Sequence, residues 1–330
     1  MIDSVALGDG LTVSAQGFGG MALTPVYGEV DPTTSLATLQ HAVDVGVTFL
    51  DTANVYGQGE NEKLFARLLA DRRKDVTVAT KFGITGNPAT GERTTRGGRD
   101  YVRECIDASL SRLGVDSVDL YYMHRLDPNI PIEDTVSAMA ERVTEGKVRH
   151  LGLSEVTGSE LERAHAIHPI AAVQSEWSVW SRDVEAQVVP TAARLGVGFV
   201  PYSPLGRGFL TGTINEGSLG ESDLRRHFPR FADGLLAANE KAVDVVRSVG
   251  STIGATPAQV ALAWLYAKGR EMGLAVVPIP GTRNASRIDE NAGALSVTLT
   301  AEQMVELDGI AALVEGARSA DPTWVSSGLE

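Results

Sequence analysis

The sequence is poor in cysteine, and Cys105 is the only one among its 330 residues. A single cysteine excludes an internal disulfide and a cysteine-cluster metal site, and we predict no bound metal. Cys105 falls on the core-facing side of a predicted helix, which favours a buried small hydrophobic residue over a reactive thiol.

Long apolar runs are also missing. No stretch reaches the roughly 18 consecutive apolar residues that are typical of a membrane-spanning helix. The first residues, Met1-Ile2-Asp3-Ser4, lack the basic stretch and apolar core of a signal peptide. We therefore expect a cytoplasmic protein that does not associate with membranes.

Basic residues are in deficit, with 29 lysines and arginines against 42 acidic residues and a net charge of −13. This charge repels a polyanion, so we do not expect nucleic-acid binding. A small phosphorylated ligand responds to local charge instead, which makes any local group of arginines informative. The otherwise ordinary globular composition fits both a monomer and a small homo-oligomer.

Short apolar runs alternate with helix-period segments along most of the chain. The strand candidates are residues 16–20, 47–51, 76–80, 118–123, 148–153, 171–175, 197–201 and 274–279. Their apolar character on both faces is typical of buried parallel strands. Eight such units predict a single-domain (β/α)8 TIM barrel over residues 1–330, with a doubly wound open sheet as the alternative.

Three segments lie outside the regular alternation. Residues 4–14 read as a hairpin around Gly8-Asp9-Gly10, which would plug the amino-terminal end of the barrel. Residues 203–236 form a long, Gly-rich stretch on the expected catalytic face, which suggests a lid or substrate loop. Residues 301–315 are predicted to form an extra helix.

Four residues with proton chemistry mark the ends of consecutive strands. Asp51, Lys81 and His124 each close an apolar run, and Tyr56 follows Asp51 by five residues. In a barrel these side chains converge at the carboxyl-end rim, where such enzymes keep their catalytic groups. Taken singly, they could be a turn cap, a surface ion pair, a core histidine and loop packing.

The four residue types together favour proton transfer to a carbonyl oxygen. A tyrosine protonates a developing alkoxide more readily when a nearby ammonium lowers its pKa, and a carboxylate can hold that ammonium in place. Tyr56, Lys81 and Asp51 supply those roles, and His124 can orient the carbonyl oxygen. Because no nucleophile or metal cluster is evident, carbonyl reduction with hydride from a cofactor is the natural reaction.

The chain resembles the aldo-keto reductase superfamily. The matching segments, which run in collinear order, are Phe49-Leu50-Asp51-Thr52-Ala53-Asn54-Val55-Tyr56-Gly57, Ala79-Thr80-Lys81, Asp119-Leu120-Tyr121-Tyr122-Met123-His124, Pro201-Tyr202-Ser203-Pro204-Leu205-Gly206 and Pro278-Ile279-Pro280-Gly281-Thr282-Arg283. His124-Arg125-Leu126-Asp127-Pro128 is most similar to the bacterial and plant subgroup related to pyridoxal reductases and perakine reductase.

The resemblance implies a barrel enzyme that uses a nicotinamide cofactor, with Tyr56 as the general acid. Ser154 and Gln174 would bind the nicotinamide carboxamide, and Tyr202 would stack on its ring. The other cofactor contacts that it implies are Gly20, Met21, Ser203, Pro204, Leu205, Gly206, Gly208, Ile279, Gly281 and Thr282. One residue departs from the family pattern: Glu155 stands where many members have asparagine, and a carboxylate can accept but not donate a hydrogen bond.

Two arginines favour NADP(H) over NAD(H). Arg283 and Arg287 lie at the start of a predicted helix, where backbone N–H groups favour anions. Two guanidiniums suit the adenosine 2′-phosphate, and the resemblance places Glu290 and Asn291 near the adenine. The alternative is that the two arginines lie on a solvated helix face and bind no phosphate.

The barrel register places Tyr27, Val55, Trp177 and Trp180 near the rim as candidate pocket residues. Aromatic walls suggest small-molecule aldehydes or ketones with an apolar body. For the two tryptophans, core packing under the sixth helix is an equal alternative.

The sequence thus predicts an NADPH-dependent aldehyde and ketone reductase. Two rival functions use the same residues. One is a lyase in which Lys81 forms a Schiff base. The other is a redox-sensing module that binds the cofactor and turns over slowly.

Overall fold

The computed structural model describes residues 2–86, 94–221, 223–232 and 234–326, except for the side chain of Glu216. The strands in this part are β1 (Ser4–Ala6), β2 (Thr12–Ser14), β3 (Gly17–Gly19), β4 (Phe49–Asp51), β5 (Thr77–Phe82), β6 (Ile84–Thr85), β7 (Thr94–Thr95), β8 (Val118–Met123), β9 (Val148–Ser154), β10 (Ile170–Glu176) and β11 (Gly198–Tyr202). Strands β3 to β5 and β8 to β11 follow predicted apolar runs, with ends displaced by at most two residues. The eighth predicted strand, residues 274–279, forms an isolated bridge from Val276 to Phe199 and no regular strand, and β6 and β7 were not predicted.

Parallel pairing joins seven of these strands into one sheet, in the order β11-β10-β9-β8-β5-β4-β3. Residues 275–280 close it into a barrel. Phe199 N donates to Ala275 O at 2.8 Å and Val277 N to Phe199 O at 2.9 Å, while Gly17 N donates to Pro278 O at 3.0 Å on the other side. Two prolines in this segment lack N–H groups, which interrupts its ladder. The closed barrel confirms the predicted fold class over the open sheet.

Helices cover the outside of the barrel. In the described residues they are α1 (Pro32–Asp44), α2 (Glu60–Arg72), α3 (Arg99–Leu113), α4 (Ile132–Thr144), α5 (Gly158–Ile167), α6 (Val188–Leu195), α7 (Leu235–Ala238), α8 (Glu240–Ile253), α9 (Pro257–Glu271), α10 (Ala285–Gly293) and α11 (Ala301–Asp308). In α3, the predicted face of Val102, Cys105, Ile106, Ser109 and Leu113 is buried throughout. Helical periodicity therefore identified the side that packs on the strands.

The hairpin β1–β2 closes the amino-terminal end of the barrel. Leu7, Leu11 and Val13 belong to the same buried cluster as Phe49, Leu120 and other inward-facing strand residues. Gly8 N donates to Ala171 O at 2.8 Å, which ties the hairpin turn to the base of β10. The plug leaves the carboxyl-terminal mouth as the open end of the barrel.

Two segments differ from their expected form. The 203–236 stretch contains 3-10 turns at Gly206–Thr211, Glu216–Ser218, Leu224–His227 and Pro229–Phe231, so it is a chain of short turns. The extra helix ends at Asp308 and continues as a 3-10 turn over Gly309–Leu313, because glycine is a poor helix former. Among the described residues, no helix is long and apolar enough to cross a membrane.

Leu7 tests the hairpin plug, since its buried side chain fills the barrel base. We expect Leu7→Ala to lower the free energy of unfolding by about 2–5 kcal/mol, because it leaves a cavity in a closed interior. Urea denaturation measures the change. Val5→Ala in β1 of the same hairpin, where the side chain is partly exposed, serves as the control and should cost less. Equal losses in the two variants would show that Leu7 does not plug the barrel.

Candidate active site

Asp51 and Lys81 form a buried ion pair at the mouth of the barrel. Asp51 is the last residue of β4 and Lys81 lies near the end of the adjacent β5. Lys81 Nζ donates to Asp51 Oδ1 and also to Thr52 O at 2.9 Å. On the other side of the carboxylate, Gln174 Nε2 donates to Asp51 Oδ2 at 2.9 Å. Both members of the pair are thus fixed by hydrogen bonds, Lys81 to the residue after β4 and Asp51 to a side chain of the more distant strand β10.

Tyr56 and His124 lie beside this pair. Lys81 Nζ is 5.0 Å from the centre of the Tyr56 ring. The His124 imidazole meets that ring edge-on, with 5.8 Å between the ring centres. Gly57 and Gln58, both with positive φ, turn the chain sharply after Tyr56 and into α2. The structure therefore brings all four predicted catalytic residues together.

Burial dominates the electrostatics of the ion pair. It raises the pKa of Asp51 and lowers the pKa of Lys81, and their mutual attraction opposes both shifts. The Lys81 side chain is 0% exposed. Because its amine is enclosed and held by Asp51 and Thr52, it is poorly placed to attack a carbonyl, which disfavours the Schiff-base lyase.

The pKa of Tyr56 lies above its usual value, opposite to the direction that the tuning argument implied. Desolvation by the surrounding protein and the negative charge of Asp51 raise the pKa, while the nearby guanidinium of Arg125 lowers it. Because Asp51 neutralises the charge of Lys81, the Lys81 ammonium does not by itself favour the phenolate form of Tyr56. Tyr56 consequently stays protonated at neutral pH, which is the form that a proton donor needs.

His124 is held neutral. Burial lowers the pKa of its imidazole, and the positive charges of Lys81 and Arg125 lower it further. Its Nδ1 is buried and has no hydrogen-bond partner among the described residues. A neutral imidazole can donate a hydrogen bond to a carbonyl oxygen from one nitrogen only.

Arg125 is a functional candidate that sequence reasoning did not single out. Its guanidinium donates to His124 O at 2.6 Å, to Ser154 Oγ at 3.2 Å and to Trp324 O at 3.1 Å. It thus links the histidine strand to β9. A charged residue close after a buried strand was the available signal, although two of its partners, Ser154 and Trp324, lie far away in sequence.

The residues predicted for the nicotinamide end stand on adjacent strands. Gln174 pairs with Ser154 in the β10–β9 register, and Glu176 pairs with Tyr202 in the β10–β11 register. Ser154 and Gln174 are buried, whereas Tyr202 is partly exposed. The Tyr202 hydroxyl donates to Glu155 Oε1 at 2.7 Å. These side chains line one side of the mouth, next to the ion pair.

Glu155 is buried and is paired with Arg318. Two hydrogen bonds of 2.8 and 2.9 Å join the guanidinium to the two carboxylate oxygens. Burial alone would raise the pKa of Glu155, but the charge and hydrogen bonds of Arg318 hold it well below its usual range. The partners are 163 residues apart in sequence, so no local pattern could reveal the pair.

Trp177 and Trp180, the two candidate pocket tryptophans, have different neighbours. Trp177 is fully buried, packs on Phe199 and Trp264, and donates from Nε1 to Glu185 at 2.8 Å. Of the two alternatives for Trp177, pocket wall or core packing, its complete burial in the main core cluster favours core packing. Trp180 stacks on Phe209, with 4.9 Å between ring centres, and so lies under the loop after β11.

The other two candidate pocket residues are partly exposed. Val55 directly precedes Tyr56. Tyr27 lies close to the loop after β11, where Arg207 Nη1 is 3.4 Å from its hydroxyl and the Arg225 guanidinium is 5.0 Å from its ring centre. Both therefore remain candidates for the rim of a substrate pocket.

The remaining predicted cofactor residues fall in three places. Gly20 and Met21 begin the turn after β3; Ser203, Pro204, Leu205, Gly206 and Gly208 form the turn after β11; Ile279, Gly281 and Thr282 lie in or after the closing segment 275–280. A Cβ on Gly281 would lie 2.3 Å from Gly19 O, so the third place packs against the first. Barrel closure thus gathers segments from both ends of the chain.

Arg283 and Arg287 have different surroundings. Arg283 donates to the carbonyls of Ala22, Thr24, Tyr27 and Glu29 at 2.8–3.4 Å. Its guanidinium therefore holds the loop after β3 in place. Arg287 is exposed, with no ion pair or hydrogen bond of its side chain in the described region. In α10, Glu290 is partly exposed and Asn291 is buried.

Comparison with known proteins identifies similar chains. Residues 16–312 match the model of the aldo/keto reductase family. A probable aldo-keto reductase 1 from Glycine max is 43% identical over 310 residues, which cover 93% of this chain and 88% of the relative.

Three solved structures of similar chains share the fold. The glycerol dehydrogenase AKR11B4 from Gluconobacter oxydans has a TM-score of 0.84 at 25% identity, with 94% of this chain and 95% of that chain covered. The thermostable aldo-keto reductase Tm1743, solved with the inhibitor epalrestat, has a TM-score of 0.74 at 29% identity, with 94% and 100% covered. The holo form of the aldo-keto reductase AKR11C1 from Bacillus halodurans has a TM-score of 0.77 at 25% identity, with 97% and 99% covered.

The lowered pKa of His124 makes stability depend on pH. As pH falls through about 6.5, the unfolded chain takes up a proton at this position but the folded chain does not. Relative to His124→Gln, the wild-type protein should therefore lose about 1.4 kcal/mol of unfolding free energy for each pH unit below about 6.5. Urea denaturation at several pH values measures the difference.

His227→Gln, which removes an exposed histidine, controls for the loss of an imidazole. A difference between wild type and His124→Gln that does not change with pH would contradict a neutral, buried His124.

Proposed function

The chain belongs to the aldo/keto reductase family of oxidoreductases that act on carbonyl and alcohol groups, and on this premise we propose that it reduces aldehydes and ketones with NADPH. The observation that carries the proposal is the convergence of Asp51, Tyr56, Lys81 and His124 at the barrel mouth. The same arrangement gives each of the four residues a separate role.

Tyr56 is the proton donor in this proposal. Its raised pKa keeps the phenol protonated until a developing alkoxide, a much stronger base, accepts the proton. His124, neutral and edge-on to the same ring, orients the carbonyl oxygen toward the phenol. The Asp51–Lys81 pair fixes the floor of the site and supplies an ammonium 5.0 Å from the phenol ring centre.

The residues of the mouth fit a nicotinamide cofactor. Polar side chains of Ser154 and Gln174 stand at the ends of adjacent strands, and the partly exposed Tyr202 ring lies next to them on β11. Ser154 and Gln174 would bind the carboxamide and Tyr202 would cover the ring. When bound, the cofactor supplies the hydride that reduces the carbonyl carbon.

NADP(H) specificity is assigned to the start of α10. Arg287 is exposed there and is available to bind an adenosine 2′-phosphate. Arg283 is occupied by backbone carbonyls, so we assign it to holding the loop after β3 beside the phosphate position. Glu290 and Asn291 then lie on the adenine side of the same helix.

A carbonyl panel monitored by NADPH oxidation, with NADH in parallel, tests the proposed activity. We expect turnover of about 1–10³ s⁻¹ on at least one aldehyde or ketone. Binding of NADPH with turnover far below this range on every compound would favour the redox-sensing module instead.

Tyr56→Phe removes the proton donor and keeps the ring. We expect kcat for carbonyl reduction to fall by about 10²–10⁴-fold, because the alkoxide loses its general acid. NADPH affinity, measured by fluorescence titration, should change little. Tyr266→Phe, which removes a hydroxyl on the outer helix α9, is the matched control and should retain full activity. Near-normal kcat in Tyr56→Phe would assign proton transfer to another group.

Arg287→Met tests the phosphate site. Loss of a charge-assisted contact should raise KM for NADPH by about 10- to 100-fold and leave KM for NADH almost unchanged. Arg270→Met, at an exposed arginine of α9, controls for the loss of one positive charge. An equal effect on both cofactors would contradict the assignment of Arg287 to the 2′-phosphate.

A further inference from the structure

Glu155 departs from the family's usual asparagine, and its contacts give the carboxylate a different task. We propose that Glu155 anchors the segment 314–326 over the barrel mouth through Arg318, and thereby positions Ser154 and Tyr202, instead of binding the cofactor amide itself. The proposal that Ser154 and Tyr202 are positioned rests on the proposed function, since it takes these two residues as nicotinamide contacts. The proposal that Glu155 anchors the segment 314–326 does not depend on any cofactor.

The carboxylate of Glu155 has no acceptor capacity left. Oε1 accepts from Arg318 Nη1 at 2.8 Å, Tyr202 OH at 2.7 Å and Glu176 N at 3.1 Å. Oε2 accepts from Arg318 Nη2 at 2.9 Å and from Ser326 N and Oγ at 2.9 and 3.2 Å. A carboxylate offers about four lone-pair sites, and here six donors already share them. A cofactor amide would have to displace one of these partners.

The ion pair is enclosed on both sides. The side chain of Glu155 is 0% exposed and that of Arg318 is 5% exposed. The guanidinium is held by a second acid as well, since Arg318 Nη2 lies 2.9 Å from Asp183 Oδ2. Removing one partner would leave a buried charge uncompensated, so the segment cannot leave the mouth without a large electrostatic penalty.

The backbone at Glu155 supports the same reading. Its φ is +52°, in the left-handed region where asparagine is enriched and a glutamate is uncommon. An asparagine would therefore suit this backbone better. The longer carboxylate is the feature that reaches Arg318 and Ser326, and an asparagine could not form the bidentate ion pair.

A second contact joins the segment to Ser154. Trp324 O accepts from Arg125 Nε at 3.1 Å, and the Arg125 guanidinium lies 5.6 Å from the Trp324 ring centre. The same guanidinium donates to Ser154 Oγ at 3.2 Å. The segment therefore reaches the proposed nicotinamide contacts from two directions, through Arg125 to Ser154 and through Glu155 to Tyr202.

Hydrogen exchange in the free protein tests the anchor, with no cofactor or substrate present. In Glu155→Gln, Glu155→Asn and Arg318→Met, we expect amide exchange in peptides covering 314–326 to accelerate at least about tenfold, because the closed state loses its ion pair. The double variant Glu155→Gln/Arg318→Met leaves no unpaired charge at position 155 and keeps the test valid if a single variant fails to fold. Lys241→Met, which breaks an exposed ion pair to Glu315 of the same segment, is the control and should leave exchange unchanged.

Fluorescence titration with NADPH tests the positioning. We expect the same variants to weaken NADPH binding by about tenfold, with Arg318→Met as damaging as Glu155→Asn. Unchanged amide exchange in Arg318→Met would overturn the proposed anchor.

Faster exchange with unaltered NADPH affinity would overturn the proposed positioning of Ser154 and Tyr202. Tighter NADPH binding in Glu155→Asn would show that residue 155 contacts the cofactor. Neither experiment measures carbonyl reduction. A failure of the proposed function can therefore be told apart from a failure of the proposed anchor.

Discussion

The structure of the barrel mouth depends on one buried ion pair, between Asp51 and Lys81. The pair can form only because parallel pairing places the ends of β4 and β5 next to each other. The desolvation of the pair is offset by hydrogen bonds from Gln174 and to the Thr52 carbonyl, so three segments of the chain converge on two charges. Tyr56 then lies over an ammonium whose position is already fixed, and His124 packs against the Tyr56 ring.

The pairing also limits what Lys81 can do. An ammonium in contact with a carboxylate presents little net charge to its surroundings, and Asp51 acts on Tyr56 in the direction that favours the phenol. Arg125 and Arg207 oppose this effect on the pKa of Tyr56, and Arg125 also helps to keep His124 neutral. The protonation states at the site are therefore set first by burial and by the charges of Asp51 and Lys81, and Arg125 acts in addition to them.

The sequence could predict the features that depend on local periodicity and on strand ends. Apolar runs located the strands, and barrel topology implied that residues directly after them would meet. It could not decide whether Trp177 faces a pocket or the core, since both environments favour an aromatic residue. Nor could it show that Arg283 is occupied by carbonyls or that Arg318 reaches Glu155, because these contacts join positions more than 100 residues apart.

Charged contacts add to apolar packing in tying the distant segments to the mouth. Glu155 and Glu176 follow one another around the rim, and each binds an arginine from a long segment: Arg318 for the first and Arg207 for the second. Buried ion pairs add little net stability compared with apolar packing, but they specify geometry strongly because a misplaced charge is costly. Segments held in this way are placed accurately over the site, which suits an opening that must admit both a cofactor and a substrate.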